Sequence, residues 1–310
     1  METPEMPVER INGVIAPILT PFNEDLSVAT DLYVSHAKRL FDQGCAGIAP
    51  FGTTGEALSV GIDERIAAMQ ALIDAGIDPT RMIPGTGLSN VADTARLSRA
   101  CLDMGCAAVM TLPPFYFKDV SEDGLYRYFE RLVAAIGSDA RIYLYHIPPI
   151  AIVGIPPALA ARLHVDFQEQ IVGIKDSSGD WENTRALLDI DGMIVYPGSE
   201  LPLLDALERG APGCITATAN INARDIARVV SLYEKGDIAA ARALHETVKR
   251  FRLTVQDYAP IPAQKRLLAF SMGDDRWSNV RPPLTAMSQD EGRELAALLD
   301  RNFDRTGDNS

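Results

Sequence analysis

The chain has 310 residues, 47% of them hydrophobic and 23% charged, so it can bury a full core and stay in solution. Its 42 acidic and 29 basic side chains leave a formal net charge of −13, a balance that repels nucleic acid and anionic lipid. The most basic stretch, around Lys249, Arg250 and Arg252, fits an exposed helix face. No run approaches the ~18 apolar residues of a membrane span. These exclusions leave small-molecule chemistry, with local donors required if the ligand is an anion.

Met1 to Asn12 is acidic and lacks the apolar centre of a signal peptide. The cysteines, Cys45, Cys101, Cys106 and Cys214, form no Cys-x-x-Cys pair. Three of them sit among Ala, Gly, Ile or Val beside predicted strands, which suits buried, reduced thiols in a cytoplasmic protein.

Along the chain, amphipathic runs alternate with short apolar ones. Val28, Leu32, His36 and Leu40 recur at near-helical spacing, with Ser27 placed to cap the start. Gly44, Gly76, Gly105, Gly137 and Gly210 each follow such a run, where a helix ends in the left-handed conformation that glycine tolerates. Eight apolar runs read as strands: Val14–Leu19, Gly47–Pro50, Met82–Pro84, Ala107–Thr111, Ile142–Tyr145, Ile171–Ile174, Met193–Tyr196 and Cys214–Thr216. They lack polar alternation, as strands buried on both faces of a parallel sheet do. Eight strands alternating with helices over about 200 residues predict a (β/α)8 TIM barrel, with a doubly wound open sheet as the rival. The barrel is favoured because chemically suggestive residues follow several different strands. From about Lys235 the strands stop, and helices over Asp237–Thr254, Ile261–Phe270 and Gln289–Asn302 read as an appended layer. The chain thus divides into a catalytic barrel over 1–234 and packed C-terminal helices over 235–310, with a frayed tail from Arg301 to Ser310.

Three stretches carry candidate chemistry. Lys175 ends an apolar strand in Ile-Val-Gly-Ile-Lys-Asp-Ser-Ser-Gly. A lysine there either emerges into water or, desolvated in a barrel mouth, becomes an amine nucleophile. Gly52-Thr53-Thr54-Gly55-Glu56 follows the second strand; it is either an ordinary strand-to-helix turn or a tight loop whose N–H and hydroxyl donors hold a carboxylate. In Tyr143-Leu-Tyr145-His146, strand alternation puts both tyrosines on one face. Tyr143 and His146 read as structural, whereas a tyrosine near the barrel mouth can shuttle a proton. The histidines, at 36, 146, 164 and 245, show no ligand spacing, so no metal site is expected.

Together these residues resemble the dihydrodipicolinate synthase / N-acetylneuraminate lyase family, in matching order from about Ile11 to about Val230. The motifs are Gly52-Thr-Thr-Gly-Glu56, Tyr145-His-Ile-Pro148 and Gly173-Ile-Lys175. The resemblance implies a class I mechanism with no cofactor, in which Lys175 forms a Schiff base with pyruvate or another 2-keto acid. Thr53 and Thr54, with Gly52, would bind the carboxylate, and Tyr145, helped by Thr53, would move protons. Pro114-Phe-Tyr116 matches the motif that supplies a tyrosine to the neighbouring subunit, which implies a homotetramer built from tight dimers. Gly198 and Ile215 would line the pyruvyl end through backbone atoms.

Two departures bear on the substrate. Pro149, Ile150 and Ala151 occupy the stretch where the synthase carries an arginine for its second substrate's carboxylate. Where sialic acid lyases carry an acidic pair, Ser199, Glu200 and Leu201 follow Gly198, and Ala217 replaces a later serine. The resemblance therefore points to an aldolase or dehydratase acting on a 2-keto-3-deoxy sugar acid or related hydroxy keto acid, with Ser177 and Glu200 as contacts to substrate hydroxyls. The synthase, the sialic acid lyase and a non-catalytic ligand-binding barrel are the alternatives.

Overall fold

The apolar runs become short parallel strands because each is covered on both faces. The computed structural model describes residues 10–303. The sequence reading of Met1–Asn12 falls, up to residue 9, outside the described residues, as does the tail beyond Phe303. The strands are β1 (Gly13–Ala16), β2 (Gly47–Ile48), β3 (Val109–Thr111), β4 (Ile142–His146), β5 (Ile171–Asp176), β6 (Ile194–Pro197) and β7 (Gly213–Ile215). β1 pairs with β2 on one side and β7 on the other, and β3, β4, β5 and β6 pair in sequence order, all parallel.

Two seams join these sheets into a ring. β6 lies beside β7. On the other side, Met82 bridges Ile48 and Gly85 bridges Met110, with Ile83 N donating to Ile48 O at 3.0 Å and Met110 N to Pro84 O at 2.8 Å. The third expected strand, Met82–Pro84, is thus present only as isolated bridges. Pro84 has no N–H of its own to give, and hydrogen bonds flank it, from Gly85 N to Pro50 O at 2.7 Å and from Thr86 N to Met110 O at 2.9 Å.

The helices are α1 (Thr30–Asp42), α2 (Ile62–Asp74), α3 (Val91–Asp103), α4 (Glu122–Ile136), α5 (Pro148–Ala151), α6 (Pro157–Asp166) and α7 (Trp181–Leu188). They continue as α8 (Leu203–Glu208), α9 (Ala219–Glu234), α10 (Ile238–Gln256), α11 (Pro260–Met272) and α12 (Gln289–Asn302). α1 starts three residues later than its expected cap. Ser27 instead bonds Asp25, and Ala29 at the helix start makes no side-chain cap. The glycines at 44 and 105 take φ of 97° and 89°, as their place after α1 and α3 requires.

Strand alternation sorts side chains into two separate cores. Val14, Ile48, Val109, Leu144, Ile174 and Cys214 face the surrounding helices. Ile15, Ala49, Met110, Tyr143, Tyr145, Tyr196 and Ile215 fill the barrel interior. The Tyr143 and Tyr196 rings lie 5.5 Å apart, and the Tyr196 hydroxyl donates to Ile11 O at 2.7 Å. Tyr143 is core, as its strand position suggested, and burial raises its pKa. A third cluster, built on Phe251, Leu268, Trp277, Leu295 and Leu299, packs α10–α12 against the barrel residues Leu19 and Ile221. Arg301 and Asn302 belong to α12 and Phe303 is buried against Phe251 at 5.3 Å, so the expected fraying does not begin at Arg301.

Gly173 shows how tightly the interior is filled. A Cβ there would collide with Ile194 O and sit 2.6 Å from Tyr143 Cε1. Gly173→Ala is predicted to cost about 3 kcal/mol, because a backbone oxygen cannot yield as a side chain does; urea denaturation against wild type measures it.

Candidate active site

Lys175 reaches the interior because β5 carries it in register with Tyr145 on β4 and Tyr196 on β6. The residue is only 3% exposed, and its Nζ lies 4.3 Å from the centre of the Tyr145 ring. Its neighbour Asp176 turns away: one carboxylate oxygen accepts from Ser178 N at 2.9 Å and the other from Thr184 Oγ1 at 2.6 Å. Among the described residues no carboxylate pairs with Lys175. The amine is therefore withdrawn from bulk water, with a tyrosine ring for its neighbour.

Tyr145 connects the lysine to the loop after β2. Its hydroxyl lies 3.2 Å from Thr53 Oγ1, within hydrogen-bonding reach across 92 residues of chain. The loop is wound tightly: Phe51 and Glu56 take φ of 55° and 54°, and Ala57 N donates back to Gly52 O at 3.3 Å. Thr20 Oγ1 donates to Gly55 O at 2.8 Å, pinning the turn from below.

Glu56 anchors the loop in a way its sequence position did not suggest. It directly precedes the short 3-10 helix Ala57–Ser59 and is half of a buried ion pair with Lys265 of α11, both side chains being 0% exposed. Lys265 also donates to Asn279 O at 2.7 Å, and Arg281 N donates to the other Glu56 oxygen at 3.0 Å. Burial pulls the Lys265 pKa down to about 8 against the opposing pull of Glu56.

A cavity of about 240 Å³ opens on the Thr53–Tyr145 side of this constellation; Lys175 and Thr54 are not on its lining. Gly52, Thr53 and Tyr145 form its polar end, and Met110, Leu112, Ile147 and Ile150 continue its wall. Gly85 and Gly87 line it too. A Cβ on either would collide with backbone, of Phe51 and Leu112 respectively. Sequence reasoning passed over them, although Gly85-Thr-Gly87 directly follows the third apolar run.

The remaining expected residues are placed unevenly. Thr54 is half-buried in the loop beside Thr53. Gly198 lies directly against Ser177, so close that a Cβ would collide with Ser177 Oγ. Ile215 is fully buried in the barrel interior. Tyr116 is 75% exposed, edge-on to Phe117, and lines no part of its own chain's cavity.

Glu200 requires a correction. Its carboxylate accepts from Thr216 Oγ1 and Thr218 Oγ1 and pairs with Arg252 at 3.0 Å, and its side chain is 1% exposed. His245 donates to its carbonyl at 2.7 Å. With its acceptor oxygens engaged and no water contact, it ties α10 to the loops after β6 and β7 instead of meeting substrate hydroxyls. Arg252 accordingly leaves the exposed basic face assigned to it; its side chain is 18% exposed.

The histidines are held locally. His146 Nδ1 accepts from Ile155 N at 2.7 Å, and burial lowers its pKa. His36 meets Asn220 at 3.0 Å and His164 meets Ile171 O at 2.6 Å. The four cysteines are free and buried.

The model of the dihydrodipicolinate synthetase family matches residues 10–302. The chain belongs to that family. An uncharacterized DapA-like lyase of Chloroflexus aurantiacus is 36% identical over 93% of this chain and 96% of its own. The crystal structure of dihydrodipicolinate synthase from Agrobacterium tumefaciens superposes with a TM-score of 0.82 at 33% identity, covering 94% of this chain and 99% of that one. YagE, a prophage protein of the same family from E. coli K12 solved in complex with pyruvate, gives a TM-score of 0.86 at 25% identity over 94% and 98%. The protein is thus a lyase of the dihydrodipicolinate synthase family, built on the barrel common to these enzymes.

Lys265→Met would leave Glu56 charged and buried without its partner, and is predicted to lower stability by about 3–5 kcal/mol. The double variant Glu56→Gln/Lys265→Met should recover part of that loss. Denaturant titration of the wild type and both variants checks the coupling.

Proposed function

We propose that the protein is a class I aldolase that forms a Schiff base between Lys175 and pyruvate, or another 2-keto acid, and makes or breaks the carbon–carbon bond of a 4-hydroxy-2-keto acid. The observation that carries this reading is the line Lys175–Tyr145–Thr53: a buried amine against a tyrosine whose hydroxyl touches the loop threonine. Lys175 Nζ attacks the ketone carbon, and the adduct loses water to leave a cationic imine. That imine accepts the electron pair released when the bond between C3 and C4 breaks, or when a C3 proton leaves in the reverse direction. Tyr145, bonded to Thr53, exchanges the proton with the substrate hydroxyl. Thr53, Thr54 and the N–H groups of the loop from Gly52 supply neutral donors to the substrate carboxylate, and the imine adds local positive charge in a protein of net charge −13.

Gly198 and Ile215 are assigned to the pyruvyl end, and Ser177, which meets Gly198 at the ends of β5 and β6, to a substrate hydroxyl. The division into a catalytic barrel over 1–234 and a helical layer over 235–310 is kept with one change. The layer takes part in the site, since Ile261 and Leu284 line the cavity and Lys265 holds the loop.

The synthase reading is less well supported. Ile150, in the stretch where the synthase places an arginine, lines the cavity and offers no charge to a second carboxylate.

We also infer a homo-oligomer, a tetramer of tight dimers, in which Tyr116 of a second copy completes the proton relay. Leu58, Tyr116, Phe117, Ile150 and Ile152 are all 60% or more exposed and cluster on segments that border the cavity, an unusual concentration for a free surface. Four free cysteines support a reducing, cytoplasmic setting, and no helix among the described residues is long and apolar enough to cross a membrane.

Borohydride reduction in the presence of pyruvate should leave a pyruvyl adduct on the peptide containing Lys175 and none in Lys175→Ala. A folded wild-type protein without the adduct would refute the Schiff-base mechanism. Tyr145→Phe should still form the adduct but lose about 10²- to 10⁴-fold in kcat, the range for a positioned proton donor. Tyr116→Phe should lower kcat in the same direction if a second copy supplies that hydroxyl. Light scattering of the purified protein should then give a mass above that of one chain.

A further inference from the structure

The polar end of the cavity is accounted for by the proposed chemistry, but its far wall is not. Leu58, Leu112, Phe115, Ile150, Ile261 and Leu284 close it, drawn from separate segments of barrel and helical layer. Of the two charged residues on the lining, only Glu56 is paired with an opposite charge. Glu56 is held by Lys265 and Arg281 N. The Lys118 ammonium donates to Phe115 O and, at 3.4 Å, to Ala151 O. Ser59 Oγ donates to Pro282 O at 3.4 Å, and Thr53 faces Tyr145. A polyhydroxylated tail entering here would lose its water without gaining matching partners. A carboxylated tail would meet Lys118 as the one cation on the lining, at its exposed rim, and apolar side chains such as Ile150 elsewhere.

We propose that the aldehyde partner carries an apolar tail, aliphatic or aromatic, and that the favoured aldol is a 4-hydroxy-2-keto acid with that tail on C4. This rests on the Schiff-base reading above and narrows its substrate from sugar acids to apolar ones. The space is adequate: an apolar cavity of about 150 Å³ holds a benzene ring, and this one measures about 240 Å³. In the condensing direction, C3 of the Lys175-bound enamine adds to the aldehyde carbon. The carbonyl π pair becomes an alkoxide, and Tyr145 delivers to it a proton that balances the one lost from C3. Water then hydrolyses the imine, releasing the hydroxy keto acid and the free lysine. In the proposed dimer, Tyr116 of a second copy would add a further ring near this mouth.

The test is aldol condensation of pyruvate by the purified full-length protein with four aldehydes: benzaldehyde, hexanal, glyceraldehyde and succinic semialdehyde. Borohydride trapping of pyruvate is run on the same preparation. The apolar aldehydes should exceed glyceraldehyde and succinic semialdehyde in kcat/KM by about 10- to 100-fold, the discrimination an apolar pocket supplies. Ile150→Arg should shrink or reverse the ratio of benzaldehyde to succinic semialdehyde. A lysine adduct with equal rates, or with preference for glyceraldehyde or succinic semialdehyde, overturns the apolar assignment and leaves the Schiff-base reading standing. No adduct overturns both, since the tail pocket is defined by a keto acid held on Lys175.

Discussion

Glu56 and Lys265 meet where water reaches neither, 209 residues apart in sequence, and much of the site hangs on that contact. An ion pair so placed contributes little net stability over an apolar pair of the same shape, because desolvating two charges consumes most of their attraction. What it does is fix geometry. Neither group can leave its partner without stranding a buried charge, so the loop carrying Thr53 and Thr54 cannot drift from α11. Arg281 extends the same clamp, bonding Glu64 at 2.6 Å and the carbonyls of Leu26 and Ser59. The left-handed φ of Phe51 and Glu56 is held by these bonds.

A second clamp ties the opposite rim to the same helical layer. Glu200, Thr216 and Thr218 sit at the ends of β6 and β7, and Arg252 and His245 reach them from α10. The helices beyond residue 235 thus brace the mouth at two places. They also close the apolar wall through Ile261 and Leu284. The geometry around Thr53 and the cavity wall thus depends on chain that contributes no strand to the barrel.

Between the clamps, the interior is set by close packing. Gly173 makes room for the Tyr143 ring, and Gly198 for Ser177. Tyr196 lies in register with Lys175 and Tyr145, and its ring packs against Tyr143 at 5.5 Å. A flexible lysine is thereby held with its stem among rings, and the conformational freedom that would blur its position is lost on folding. The cavity beside Tyr145 combines hydroxyl and glycine groups at one end with an apolar wall at the other.

Much of this was legible in the chain. The alternation of apolar runs, helices and glycines pointed to a parallel α/β sheet, because strands buried on both faces and helices covering them leave distinct local patterns; it left an open sheet as the rival to the barrel. The motifs around Thr53, Tyr145 and Lys175 were legible for the same reason: each is a contiguous piece of one strand end and its loop. Three kinds of fact were decided only by the tertiary structure. Pro84 looked like part of a strand until the pairing on both sides showed that bridges replace a ladder. Glu200 looked like a contact to substrate hydroxyls and Arg252 like part of an exposed basic face, and the pairing of Glu56 with Lys265 was not foreseen, because burial and partners 52 or 209 residues away leave no mark on local sequence. The apolar wall, assembled from Leu58, Leu112, Ile150 and Leu284, exists only where distant segments converge. Local periodicity encodes which way each side chain points along its own element; only closure of the ring and docking of the last helices decide what it meets.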